Sequence, residues 1–481
     1  MNKAQRHRTL NGFLLSVLAL IALLISACSP QATPQSIALS ALPPQPDLTS
    51  WTSELGARIN QSEIAIRDGE NPIAALAELS KLYHANGFYS ESSRCYLGLI
   101  ELEPNNPKWP YRIATLLSGF GRIEEALPHW QKSVSQAPEN ETALIRLGDA
   151  YLKINDLVNA DEAYNRTLKE NPKNPYAEVG KARIAMAGEE WNEAISHLKS
   201  ADSNSNARVG TDLLISIYER IGNIQEADSI REKTTTSGLF FDISDPWIHE
   251  IFLYSYDPHR IAVAAGRAKH AEDFDLAIKL LEHGIEVSPK DGYLRLELGM
   301  IHAESNRPRE AKTQFETCVE VAPYIEEGWS MLSSLYRLSG DAQQADRVLI
   351  EGIRNCPDSP GLRLGKARRL NQFGRIEEAL AEYEIVFSLY LEDAEPYVEA
   401  ALLYFKANRT NEGFKALESA LEVQPSFLPA LVEMTHHKII AKKKDEAATW
   451  LARITKEPGI NPRMIADMRR LFEKTFAPTL K

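Results

Sequence analysis

The chain has 481 residues, a formal charge of −12, 25 % charged and 44 % apolar residues. That is too long for one compact core, and the composition is that of an ordinary soluble protein, so either several globular domains or one elongated repeat array is expected. The acidic balance repels phosphate backbones and argues against nucleic acid as the main partner, although a local basic patch on a curved surface is compatible with it.

The chain begins with Lys3, Arg6 and Arg8, followed by an almost unbroken apolar run from Phe13 to Ile25. A run of about 13 residues is shorter than the roughly 17–25 a spanning helix needs and has the size of a signal-peptide core. Ile25-Ser26-Ala27-Cys28 follows and resembles a bacterial lipobox. The resemblance implies cleavage after residue 27, acylation of Cys28 at its sulfur and new amino terminus, and a lipid anchor facing the periplasm. Ser29 at the next position implies outer-membrane sorting if the cell has two membranes. The plainer alternatives are an ordinary secretory signal, or an uncleaved anchor, with a chance cysteine. Loss of Lys3, Arg6 and Arg8 would leave the mature chain at about −15. Residues 28–50 contain five prolines and no basic residue; they are expected to be a semi-rigid tether, with a reach of up to roughly 60 Å. Trp51, Leu55, Ile59 and Ile66 predict a helix within 51–72.

A small residue then recurs at fixed steps: Ser92, Ala126, Ala160, Ala194 and Ala227, then Ala277, Ala311, Ala345, Ala379, Gly413 and Ala447. The step is 34 residues, once 33, and 50 across the middle. Pro104, Pro138, Pro172, Pro289, Pro323, Pro357 and Pro425 keep the same interval, each 12 residues after its small residue. Leu144-x-x-Leu147-Gly148-x-x-Tyr151, Ala160, Tyr164 and Pro172 form one unit. Trp329-x-x-Leu332-Ser333-x-x-Tyr336, Ala345, Leu349 and Pro357 form another. Apolar residues three and four apart line a helix face, and the small residues mark where two antiparallel helices touch. Gly87, Gly121, Gly222, Gly340 and Gly374 fall between the paired helices, where a left-handed residue is favoured. The pattern resembles the tetratricopeptide repeat, which implies an all-α, right-handed superhelical solenoid of about eleven helix-turn-helix repeats. Two blocks are expected, 73–236 and 258–458. Lys181 and Lys366 replace expected leucines, and Lys438 replaces an aromatic, which suggests a wetter terminal face. Met464, Met468, Leu471 and Phe472 predict a capping helix within 459–481.

The insert at 237–257 is rich in aromatics: Phe240, Phe241, Trp247, Phe252, Tyr254 and Tyr256. Asp245-Pro246 is a helix-start signal for a short helix from about Pro246 to Tyr254. The segment is expected to be a wedge between the two blocks; an exposed aromatic anchor for a partner, centred on Trp247, and a ligand pocket are the alternatives.

No phosphate-binding, nucleophile-elbow or zinc-protease motif occurs, so no catalytic residue, metal site or cofactor is assigned. The adjacent His436 and His437 are expected to diverge on a helix. Cys95, Cys318 and Cys356 are expected as small packing residues, although Cys318 and Cys356 lie in neighbouring repeats and a disulfide between them is conceivable in an oxidising compartment. The acids ahead of second helices suit positive helix ends.

The resemblance implies that the first helices line a concave surface that binds peptides or proteins. Positions there not needed for packing are Tyr111, Thr115, Asp149, Tyr176, Arg183, Tyr293, Met300, Arg337, Arg368, Asn371 and Phe405. Ala77 and Lys81 do not fit the carboxylate clamp of chaperone-binding members. The functional expectation is a non-enzymatic, membrane-anchored scaffold or adaptor in envelope assembly or secretion. The alternative is an envelope carbohydrate- or peptidoglycan-binding protein, or an enzyme, that uses the aromatic insert.

Overall fold

The computed structural model describes residues 33–203, 209–233, 243–389, 392–457 and 461–477. Cys28, the leader and Phe240 and Phe241 lie outside the described residues. All regular structure among the described residues is helical. Among the described residues eleven helix pairs follow one another. In the first half they begin with Pro72–Ala85 and Tyr89–Leu102, then Lys108–Gly119 and Ile123–Gln136, Glu141–Lys153 and Leu157–Glu170, and Pro175–Ala187 and Trp191–Ser203. A fifth pair, Thr211–Arg220 and Ile224–Lys233, precedes the insert, and Pro258–His270 and Phe274–Val287 follow it. Five more run from Gly292–Glu304 with Pro308–Val321 to Leu428–Ile440 with Lys444–Ile454.

The 34-residue period has a backbone signature. One residue between the helices of each pair has positive φ: Gly87, Gly121, Asn155, Glu189, Gly222, Glu272, Asn306, Gly340, Gly374, Asn408 and Lys442. Where the sequence lacks glycine, the turn is kept and a side chain accepts the left-handed geometry. The recurring small residues sit where they must, with Ala126, Ala160, Ala194 and Ala311 wholly buried. Caps also repeat: the side chains of Asn140, Asn174, Asp257, Asp291 and Ser359 accept from the first turns of their helices, satisfying N–H groups that lack intrahelical partners. Tyr164 shows how the pairs interlock. Its ring fills the space left by two helix glycines, Gly148 and Gly180, where a methyl would collide with it.

Two compact units divide the chain, Met1–Val287 and Ser288–Lys481. The first therefore includes the sixth helix pair rather than ending at the insert. That pair is tied to the first pair and to the insert: Arg260 donates to the Tyr89 hydroxyl at 2.8 Å, and His283 Nε2 donates to the Ser255 carbonyl at 2.8 Å.

The tether expectation fails from residue 33 onward. Pro34–Ala41 is a helix, capped by Thr33, that packs on the first repeat. Ala38 and Ala41 are buried, and the absence of a side chain at Gly98 makes room for the Ala41 methyl. Gln35 donates to the Arg67 carbonyl at 2.8 Å and Arg94 to the Ser40 carbonyl at 3.0 Å. Proline suits the first turn of a helix as well as a spacer, so proline content misled. A longer helix, Ser53–Asp68, follows and buries Leu55, Ile59 and Ile66.

At the other end Lys438 does not make a wet face. It is buried, its ammonium 2.5 Å from Glu446 and 3.9 Å from the centroid of the Phe414 ring. Beyond it, Pro462–Phe476 is helical and touches the last repeat but has no buried residue. Cys95, Cys318 and Cys356 are free and buried. Cys318 packs beneath Gly328, while the Cys356 thiol points to the Pro323 carbonyl at 3.4 Å, so no disulfide joins them.

Candidate functional site

The first helices of the first three repeats share one face, and the chain's own segment 243–256 lies along it. It runs opposite to the repeat order. The hydroxyl of Thr142, on the third repeat, donates to the Ser244 carbonyl at 3.2 Å. On the second repeat, the Tyr111 hydroxyl donates to Asp245 at 2.5 Å, and Arg112 donates to the Trp247 carbonyl at 3.2 Å and pairs with Glu250. Lys108 reaches Glu250 at 3.1 Å. On the first repeat, Lys81 donates to the Tyr254 hydroxyl at 2.7 Å, and Asn86 clasps the backbone, donating to the Tyr254 carbonyl at 2.9 Å and accepting from the Tyr256 N–H at 2.7 Å. Lys108 and Thr142 are equivalent positions one repeat apart, so the segment reads the same rank of the array twice.

The segment's shape follows from its sequence. Asp245 caps Ile248, and Pro246–His249 is a turn of α-helix that tightens to a 3-10 helix over Glu250–Tyr254. The helix-start expectation at Asp245-Pro246 is met. As a wedge would, the 3-10 turn lies against both helices of the sixth pair as well as the first helix of the first, and the Tyr256 ring meets His283 edge-on with centroids 6.4 Å apart. For the rest, the segment lies along the face of repeats one to three.

The candidate binding residues therefore divide. Tyr111 is wholly buried, its ring between Trp130 and Trp247 at centroid distances of 4.8 and 5.0 Å. Burial and Asp245 push its hydroxyl pKa well above the ordinary value. Tyr111 is thus closed to an outside partner while the segment is in place, and Trp247 is not an exposed anchor, because its ring is spent on Tyr111. The Thr115 hydroxyl donates to the Tyr111 carbonyl at 3.0 Å, within its own helix. Asp149, Tyr176 and Arg183 do come together. With Arg146, Leu152 and Ile243 they line a cavity of about 520 Å³ where the segment begins. Asp149 accepts from the Tyr164 hydroxyl at 2.8 Å, and Arg183 stands 3.8 Å from Asp149. Burial first, and Asp149 second, raise the Tyr164 pKa.

In the second unit, Tyr293 is 58 % exposed and Arg337 is exposed. Arg337, Asn371 and Phe405 are equivalent positions of three successive repeats. Arg368 is engaged by Glu399 at 3.0 Å. Met300 is half-buried against the core of its unit, and Phe405 stacks on His437 with centroids 3.6 Å apart. Those two serve packing.

Two further clusters bear on chemistry. His436 and His437 do not diverge as expected: they reach Glu433 at 3.9 and 3.5 Å, and ligating atoms of all three lie within 4.8 Å of one another. Positions three and four beyond the glutamate share its helix face, which adjacency alone obscured. Burial and the neighbouring His436 pull the His437 pKa down to about 4. Beside Trp247 a cavity of about 360 Å³ is lined by Asp245, Glu139 and Glu141. Asp245 is held by Tyr111 and its cap, and Glu141 accepts from Asn171 and Asn174 at 3.0 and 2.8 Å; both carboxylates are committed to the fold.

The sequence reading missed Lys81, Lys108, Arg112, Asp245 and Glu250 as a set. The available signal was charge: four acids in the aromatic insert, Asp242, Asp245, Glu250 and Asp257, and the cations Lys81, Lys108 and Arg112 on the first helices.

Sequence models of the tetratricopeptide repeat match residues 117–184 and 293–324. The rat DnaJ homolog subfamily C member 3 is 20 % identical over 390 residues, which cover 77 % of this chain and 63 % of that protein; the chain thus spans less than two thirds of that relative's length. Among solved structures, yeast Tom70 is 13 % identical, with 88 % of this chain and 95 % of that one covered at a TM-score of 0.35. YrrB, described as having an unusual peptide-binding site, is 17 % identical, with 37 % and 91 % covered at a TM-score of 0.30.

Proposed function

The chain is a tetratricopeptide-repeat protein, and from that premise we propose that it is a lipid-anchored adaptor of the bacterial envelope that holds protein or peptide partners on the faces of its first helices. One observation carries the binding part: the face of repeats one to three already holds a peptide, the chain's own segment 243–256, through first-helix side chains of three successive repeats, Lys108 and Thr142 among them at equivalent positions. A face able to hold one short segment by directed hydrogen bonds, ion pairs and an aromatic anchor has the chemistry that peptide recognition uses. For an outside partner the first unit offers the cavity lined by Asp149, Tyr176 and Arg183, and the second unit the exposed side chains of Tyr293 and Arg337, with the half-buried Asn371 one repeat beyond Arg337.

The anchor rests on Cys28 and the leader before it. On this reading acylation at Cys28 does the anchoring; no described helix is long and apolar enough to cross a membrane. Outer-membrane placement rests on Ser29, and a role in envelope assembly or secretion rests on likeness of architecture. The carbohydrate or enzyme alternative loses support because Trp247, Tyr254, Asp245 and Glu141 are engaged within the protein.

Photo-crosslinking in living cells from positions 176 and 293 is expected to trap discrete proteins. Adducts no different from those at a buried control position would end the adaptor reading. Cys28→Ala is expected to move the chain from the membrane to the soluble fraction; its retention there would refute the lipid anchor.

A further inference from the structure

The segment that fills the first unit's face is held in an unusual way for a piece of core. Of residues 243–256 only Asp245, His249, Ile251 and Ser255 are buried. Its helical part is a single α-turn and a 3-10 turn, fixed by side-chain hydrogen bonds from the first helices and by Trp247, Ile248, Tyr254 and Tyr256, which are only partly buried where they rest on the cores beneath. We propose that residues 243–256 are an internal occupant of a peptide-docking face, and that the face takes in exchange a partner peptide of the same chemistry: a carboxylate, then an aromatic residue two positions on, then a second carboxylate three further on. This rests on the adaptor reading of the first-helix faces and adds the partner's chemistry and the means of control.

The groups left behind define the incoming peptide. The Arg112 side chain is 1 % exposed and lies over the Trp109 ring, 5.1 Å from its centroid. Its ion-pair partner, Glu250, comes from the segment. A buried guanidinium stripped of its carboxylate is strongly unfavourable, so a peptide lacking an acid there cannot replace the segment. Tyr111 is likewise buried and needs an acceptor where Asp245 stands, and the gap beside its ring calls for an aromatic where Trp247 stands. Lys108 and Lys81, both nearer solvent, favour an acidic peptide over a basic one. Because the occupant belongs to the same chain, its effective concentration is high and a separate peptide competes at a disadvantage. The face is therefore closed to weak ligands and opens only to one that matches all three contacts.

The test uses the full chain and a fluorescent synthetic peptide of residues 243–256. The unaltered chain is expected to bind it weakly. The variant Trp247→Ala/Glu250→Ala, whose own segment is loosened, is expected to bind it at least tenfold more tightly. Adding Arg112→Met, or giving the peptide Asp245→Asn and Glu250→Gln, is expected to remove that gain. A loosened variant with native helical circular dichroism and a cooperative melt that binds no better than the unaltered chain overturns the proposal. If the loosened variant fails to fold, hydrogen exchange on the unaltered chain decides. Amides of 246–254 exchanging at least tenfold faster than those of Lys108–Gly119 are expected of a releasable occupant, and equal protection overturns it. Crosslinking from Tyr293, in the other unit, tests the adaptor reading without touching this segment, so the two can fail separately.

Discussion

At the scale of single residues, the left-handed turn between paired helices separates what the backbone needs from what the sequence supplies. Lys442 holds φ +57° at a position where Gly340 and Gly374 hold +82° and +72°. A side chain there costs about 1–2 kcal/mol, partly offset by the greater freedom of glycine in the unfolded chain. Lys442→Gly is accordingly expected to stabilise the chain by about 0.5–1 kcal/mol, read as a rise in the urea midpoint; a fall would show that the lysine side chain contributes more than the turn costs. His84 gives a pH dependence. It is buried with Nδ1 3.0 Å from the Tyr96 hydroxyl. Burial first, and then Arg112 and Arg260, pull its pKa from 6.5 down to about 3. Between those values the unfolded chain holds a proton that the folded chain does not. Stability is therefore complete above about pH 6.5 and declines with acid, by about 2 kcal/mol at pH 5. His437 acts in the same direction, so the comparison to make is with His84→Gln, whose stability is expected to fall less steeply between pH 7 and pH 5.

At the scale of elements, the helices at the two ends of the array behave differently. Pro34–Ala41 buries Ala38 and Ala41 and is fixed by Gln35 and Arg94, whereas Pro462–Phe476 buries nothing. Deleting residues 33–44 uncovers Leu76 and the helix around Gly98, and is expected to destabilise the first unit by about 2 kcal/mol or more. Deleting residues 461–481 is expected to change stability by less than about 1 kcal/mol. Thermal melts of the two truncations check the contrast; equal losses would mean that the last helix caps the array as firmly as the first. The same contrast explains the error over the tether. Prolines and small residues are compatible with a spacer and with a short capped helix, and what favours the helix is a neighbour with a glycine where it docks.

At the scale of the whole molecule, the first compact unit closes on the sixth helix pair, because that pair grips the first pair through Arg260 and the insert through His283. A chain stopped at Val287 is expected to melt cooperatively with the segment in place. One stopped at Asp257 is expected to melt at a lower temperature, with faster exchange at Tyr254 and Tyr256; identical melts would show that the sixth pair contributes nothing to the unit. The repeat count, the helix pairs and the packing positions were determined by the sequence alone. They arise from local periodicity: an apolar stripe every three or four residues, a small residue every 34, and a turn residue in step with it. Repeat stacking is a nearest-neighbour problem, so short-range pattern suffices. The occupancy of the first-helix face was decided only in three dimensions. Glu250 and Arg112 are 138 residues apart, and Tyr254 and Lys81 are 173 apart; no periodicity links them. What joins them is the need of a buried guanidinium and a buried phenol for acceptors, which a carboxylate-bearing segment meets only once the stack has formed.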